Sequence, residues 1–286
     1  MTSNSEPILL VDTHAHLDLP PFEGDIETVY RHGHDGVFPS SVTANTFADK
    51  HLRLDFTLLP GIDAASSRRV TALADQFERF RAGVAIHPNS CGKADPEDWQ
   101  EIQRLARAPK VVAVGETGLD LYWDFVPLDL QLDYLEHHIR LARQERLPIL
   151  IHCRDAQAEL MPILRRECTG ENPLFGVIHA FSGDAAMALE CVELGLHISF
   201  AGSVTYRNKK FAPLWEAAAA VPADRLLLET DSPYLAPTPY RGKLERNEPL
   251  MTAYVANRLA ELRGTTFEAI AAQTTANAQR LFRFRT

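Results

Sequence analysis

Residues Ile8–Asp18 read ILLVDTHAHLD, an apolar run followed at once by two histidines spaced two residues apart. Side chains two apart on a strand share a face, so the His14 and His16 imidazoles can reach one ion. The same arrangement, a short apolar stretch ending in a chelating residue, recurs down the chain. Glu116 follows VVAVG, His152 follows PILI, His179 follows GVI and Asp231 follows LLLET. A lone histidine at a strand end is most often an ordinary polar residue. Four histidines and two carboxylates at five strand ends, in step with a repeating pattern, are poorly explained that way.

Working outward, apolar strand-like stretches alternate with helix-like ones throughout. The expected strands are Ile8–Val11, Phe56–Gly61, Gly83–Ile86, Val111–Gly115, Pro148–Ile151, Gly176–Ile178, His197–Ala201 and Arg225–Leu228. The expected helices are Asp25–His34, Ala64–Phe80, Asp95–Arg107, Leu128–Arg146, Asp184–Leu194, Phe211–Ala220, Leu250–Leu262 and Thr266–Phe282. Asp95 opens its helix with Asp-Pro-Glu-Asp, a capping residue followed by proline and acidic first-turn residues. Gly36–Thr43 is also strand-like, so Gly36–Leu54 is either the true second strand or an inserted excursion. Alternation of this kind implies a parallel sheet, and eight units in a row close into a barrel. The expected fold is α/β, a single (β/α)8 TIM-type barrel over residues 1–286. Barrel enzymes assemble their sites at the C-terminal ends of the strands, where all six chelating residues fall.

Composition agrees with a globular chain and narrows its partners. Of 286 residues, 45% are hydrophobic and 23% charged. No apolar run nears the ~20 residues that span a bilayer, and the N-terminus has no secretory pattern, so a cytoplasmic protein with no membrane association is expected. Cys91, Cys153, Cys168 and Cys191 form no CxxC pair and are expected to be free, buried thiols. Cys153 should point away from His152 into packing. The net charge of −9 is the wrong sign for a broad basic nucleic-acid surface. A phosphate-bearing substrate remains compatible when metal ions supply the positive charge locally.

The motif set resembles the TatD family of metal-dependent deoxyribonucleases, within the wider amidohydrolase-type barrels. The matching stretches are DTHAHLD (Asp12–Asp18), AIHP (Ala85–Pro88), GETGLD (Gly115–Asp120), IHCRDA (Ile151–Ala156), HAFSG (His179–Gly183), ETDSPYLAP (Glu229–Pro237) and RGKLERNEP (Arg241–Pro249). They run in family order over nearly the whole chain. Two features depart from the pattern: Gly36–Leu54 is longer than the usual connection, and Ala180 stands where many relatives have cysteine.

The resemblance implies that His14, His16 and Asp231 hold one metal, that His152 and His179 hold a second, and that Glu116 bridges them. Imidazole suits zinc, iron, nickel or manganese, and carboxylates also suit magnesium, so two divalent ions of these kinds are the expected cofactors. Asp231 and Glu116 are the expected catalytic carboxylates, with Asp231 as general base. His87, Arg154 and Arg241 are candidate substrate contacts, since guanidinium matches phosphate geometry. Glu229 and Asn247 are candidates for bracing the site. His32, His34, His51, His137 and His138 are expected on the solvated surface, His197 in a structural role, and Trp123 in core packing, with a place lining the mouth as its alternative. DNA or another phosphodiester is the expected, transient partner, with no obligate protein partner. The competing classes are a small-molecule amidohydrolase or phosphoesterase on the same barrel and a non-catalytic metal-binding scaffold. Lost ligands would mark the scaffold, and none is lost.

Overall fold

Strands covered on both faces need near-continuous apolar runs, and the chain supplies them in order. In the computed structural model, which describes residues 6–42, 46–47 and 49–283, the strands are β1 (Ile8–Asp12), β2 (Leu52–Pro60), β3 (Phe80–Val84), β4 (Val111–Asp120), β5 (Ile149–Arg154), β6 (Gly176–Ile178), β7 (His197–Phe200) and β8 (Leu226–Leu228). Each pairs in parallel with the next, in the order β1 to β8. The ends of the sheet meet where Thr13 N donates to Leu228 O, Asp231 N to His14 O and His16 N to Ser232 O. The result is a (β/α)8 barrel.

The helices are α1 (Ile26–Asp35), α2 (Ala64–Gln76), α3 (Pro96–Leu105), α4 (Leu128–Glu145), α5 (Gln157–Glu167), α6 (Ala185–Glu193), α7 (Ala212–Ala220), α8 (Thr252–Arg263) and α9 (Phe267–Leu281). The Asp95 cap forms as expected, with a reciprocal bond between the Asp98 side chain and the Asp95 backbone. α5 has no counterpart among the sequence expectations, because Pro162 sits inside it and a proline normally ends a helical reading. Residues Gly36–Val42 form no strand, and the second strand begins at Leu52. The rest of that uncertain segment includes residues 43–45 and 48, which lie outside the described residues, as do residues 1–5 and 284–286.

Two apolar clusters result. The larger fills the space between sheet and helices. The smaller gathers Val11, Phe56, Leu150, Val177 and Leu227 with Phe282. Leu150 and Val177 lie two residues before His152 and His179, so one strand face carries both the packed floor and the side chains above it.

Candidate metal centre

Glu116 is the hub of the mouth. It is the sixth residue of β4, a strand with every residue buried. Two glycines let β4 run close against β5. A Cβ on Gly115, at φ 151°, would lie 2.4 Å from Leu150 Cβ, and one on Gly118, at φ 147°, would lie 2.0 Å from His152 O. The Glu116 carboxylate divides between two sets of imidazoles. Oε2 stands 3.2 Å from His14 Nε2 and 3.4 Å from His16 Nε2. Oε1 stands 2.8 Å from both His152 Nδ1 and His179 Nε2. Asp231 Oδ1 joins the first set, 3.6 Å from His16 Nε2 and 3.9 Å from His14 Nε2. The structure therefore brings all six chelating residues together. Asp231 itself adopts the left-handed conformation at φ 55°, a strained backbone of the kind that clusters at functional sites.

The spacing fits cations. Zinc–nitrogen bonds of about 2.0–2.1 Å at tetrahedral angles put two ligand nitrogens about 3.3–3.4 Å apart. His14 Nε2 and His16 Nε2 are 3.2 Å apart, and His152 Nδ1 and His179 Nε2 are 3.1 Å apart. Two imidazole lone pairs this close repel unless a proton or a cation lies between them. Electrostatics of the bare cluster point the same way. Burial works to raise the Glu116 pKa, but the imidazoles of His179, His87 and His14 hold it well below the carboxylate range. Burial likewise opposes ionisation of Asp231, and His16 and His14 bring its carboxyl down. For His16 burial favours the neutral ring, yet Asp231 and Glu116 outweigh it and push the imidazole up to about 10. The carboxylates thus form a buried negative hub that protons occupy when nothing else does.

Further groups orient the imidazoles of the cluster. Asp120 Oδ2 lies 3.2 Å from His152 Nε2, on the ring edge away from Glu116. Burial would raise the Asp120 carboxyl, but the His152 and Asn89 contacts bring it down to about 2. Sequence reasoning missed Asp120, having ended the strand at Gly115. The signal was present in GETGLD, where Glu116, Gly118 and Asp120 fall two apart. Glu229 Oε1 accepts a bond from Ala180 N at 2.6 Å and lies 3.5 Å from His179 Nδ1. Asn247 Nδ2 donates to Thr230 O and Tyr234 O, fastening the turn that carries Asp231. Asp12, another buried carboxyl the sequence reading left aside, accepts from Thr230 N, Thr230 Oγ1 and His14 N.

His87 lies in the mouth with its Nε2 3.3 Å from Glu116 Oε1. Its Nδ1 accepts from Asn89 N, which leaves the ring proton on Nε2. The Arg154 guanidinium stacks 3.7 Å from the Tyr122 ring centre, and that of Arg241 lies 4.0 Å from the centre of Tyr206.

Three expectations need correction. Trp123 is not core packing. It is exposed in the loop after β4. His34 and His138 are buried rather than solvated. His34 Nδ1 donates to Leu54 O, which ties α1 to β2. His138 Nδ1 donates to Tyr134 O, and its Nε2 accepts from Ile86 N, next to His87. Burial drives His34 down to about 4 and His138 to about 3, so both are neutral. His51 is exposed, and His32 pairs with Glu248 at 2.7 Å. Cys153 packs against the core as expected, and the four cysteines are free.

No helix among the described residues is long and apolar enough to cross a membrane. The sequence of this barrel matches the family model described as TatD related DNase over residues 11–283. It is 38% identical over 275 residues to the Bacillus subtilis uncharacterized metal-dependent hydrolase YabD, covering 96% of this chain and 99% of that one. It is 37% identical over 279 residues to the Mycobacterium tuberculosis uncharacterized metal-dependent hydrolase TatD, covering 96% and 97%. The crystal structure of YjjV, a TatD homolog from Escherichia coli K12, superimposes with a TM-score of 0.82 at 30% identity, covering 96% of this chain and 98% of that chain. A strand-end cluster of histidines and carboxylates, on a barrel matched from end to end, makes this chain a member of the TatD family of metal-dependent hydrolases.

Proposed function

We propose that the protein hydrolyses phosphodiester bonds of DNA with the help of two divalent ions, drawn from zinc, magnesium, manganese, nickel and iron. The division of Glu116 carries this reading, with Oε2 facing His14 and His16 while Oε1 faces His152 and His179. His14, His16 and Asp231 would hold one ion and His152 and His179 the other, with Glu116 placed between the two groups. Ions held there supply Lewis acidity to a phosphoryl group and offset the protein's net charge of −9. Asp231 accepts the proton of the attacking water, its carboxyl being kept ionised beside His16 and His14. His87 offers its Nε2 proton to a phosphate oxygen, and Arg154 and Arg241 add guanidinium contacts from the edge of the mouth. Asp120 and Glu229 hold the rings of His152 and His179 in the orientation that ligation requires.

The negative charge favours one second reading, a small-molecule phosphoesterase or amidohydrolase using the same groups. Metal analysis of the purified protein, followed by assays on single-stranded DNA, RNA and a chromogenic phosphodiester, separates the two. The expected result is metal-dependent cleavage of DNA. Cleavage of the chromogenic ester with none of DNA would establish the second reading and overturn the first.

A further inference from the structure

The loop after β4 exposes an aromatic surface that packing does not explain. Eight large hydrophobic side chains are exposed among the described residues, and five of them, Leu121, Tyr122, Trp123, Phe125 and Tyr234, lie in the loops after β4 and β8. Exposed apolar surface is thus gathered at the mouth rather than scattered, which marks an interaction site. The Trp123 and Phe125 rings are stacked, 5.2 Å apart and 6° from parallel, while Tyr122 meets Trp123 edge to face at 4.8 Å. The Arg154 guanidinium covers the Tyr122 ring at 3.7 Å and lies 5.7 Å from that of Trp123.

The loop is built and fastened to the metal centre. Asp120 Oδ1 accepts from both Tyr122 N and Trp123 N, while Oδ2 of the same carboxylate faces His152. The buried Gln131 side chain of α4 donates to Asp120 O and Val126 O, clamping the loop at both ends, and accepts from Asp120 N. Leu121 N donates to Arg154 O at the end of β5. On the far side of the barrel, in the loop after β8, the exposed Tyr234 ring stands 6.5 Å from that of His16. Parallel rings tethered through Asp120 to the histidine cluster proposed to hold the ions suit a flat aromatic group attached to a phosphate.

We propose that Tyr122, Trp123 and Phe125 form a stacking subsite for a nucleobase next to the scissile phosphodiester, with Arg154 placed against the adjoining phosphate. The proposal rests on the phosphodiester reading above. It answers the difficulty that charge raises, because a chain of net charge −9 gains little from general attraction to a polyanion. Base–aromatic stacking is far less sensitive to protein charge and contributes about 1–3 kcal/mol per base.

The test compares two oligonucleotides, one carrying a base next to the cleaved bond and one abasic there, on the metal-loaded protein. Wild type prefers the base-bearing substrate by about 5- to 150-fold in kcat/KM, the change that this stacking energy corresponds to. In the double variant Trp123→Ala, Phe125→Ala the preference collapses towards one, and Trp123→Phe, Phe125→Tyr restores it. A thermal melt checks that the exposed loop tolerates the changes. Equal loss on both substrates, or an undiminished preference in the alanine variant, overturns the subsite. Binding is read independently as quenching of tryptophan fluorescence by a thymidine oligonucleotide, expected in wild type and reduced in Trp123→Phe. Quenching without any cleavage of DNA overturns the phosphodiester reading, and with it the placing of the base beside a scissile bond. Cleavage without quenching sinks the subsite alone. A concentration-dependent dimer abolished by the alanine variant would show that the patch joins two copies of the chain, and would also overturn the proposal.

Discussion

His152 stands between Asp120 and Glu116, with Asp120 Oδ2 3.2 Å from its Nε2 and Glu116 Oε1 2.8 Å from its Nδ1. A carboxylate on one edge of an imidazole selects the tautomer that frees the other nitrogen for a metal and makes it more basic. Asp120→Asn keeps the size and one acceptor oxygen but not the charge. Metal affinity or turnover should fall about 10- to 100-fold, with a lower melting temperature as well, since the same carboxylate is held ionised by its native contacts. Metal titration beside a thermal melt checks this. Wild-type affinity and turnover in the variant would show that Asp120 serves only the loop.

Asp231→Asn should leave a folded barrel and remove most hydrolysis, by about 10²–10⁴-fold or more. The substitution removes both the negative charge and the basicity, while the barrel core lies below the mouth. Asp231 faces imidazoles as well as Glu116, so the metal-free protein should lose some stability with it. Turnover at saturating metal and a melt without metal are the measurements. Near wild-type turnover would remove Asp231 from the mechanism.

Acid should destabilise the fold through buried histidines outside the chelating set. Burial lowers His34 and His197 to about 4 and His138 to about 3. Unfolded, each takes up a proton near pH 6.5, so between that pH and its folded value the unfolded state binds more protons and stability falls with pH. The slope approaches about 1.4 kcal/mol per pH unit for each histidine. Urea unfolding of metal-free protein at pH 7 and pH 5, in wild type and in His138→Gln, isolates one contribution. The variant should lose less stability between the two pH values. Equal losses would mean that His138 titrates alike in both states.

Gly118→Ala should be severely destabilising, by at least ~2 kcal/mol, since its Cβ would lie 2.0 Å from His152 O at φ 147°. The obstacle is backbone, which cannot swing aside as a side chain would. Denaturant unfolding reads the loss. A variant as stable as wild type would mean that β4 and β5 separate at no cost.

The barrel and its six chelating residues were legible because both depend on local periodicity. An apolar run names a strand, and the polar residue that ends it names the mouth. What stayed hidden depends on packing between distant elements. His138 is surrounded because α4 lies on β4 and on the turn that follows β3, a relation no local pattern encodes. Trp123 is hydrophobic by composition and exposed in its loop. α5 was obscured by Pro162, which the helix accommodates in its interior. Asp120 was overlooked because β4 continues for five residues beyond the expected strand end at Gly115.

The bonds that bring β1 and β8 together are made by the site's own residues, with Asp231 N donating to His14 O and His16 N to Ser232 O. Two of the three residues in the first group, His14 and His16, therefore stand more than 200 positions before the third, Asp231. A growing chain carries a pair of unpartnered histidines through most of its synthesis. Contacts at such sequence separation form late and slowly. The two histidines thus meet Asp231 only once the strand that finishes the barrel is in place.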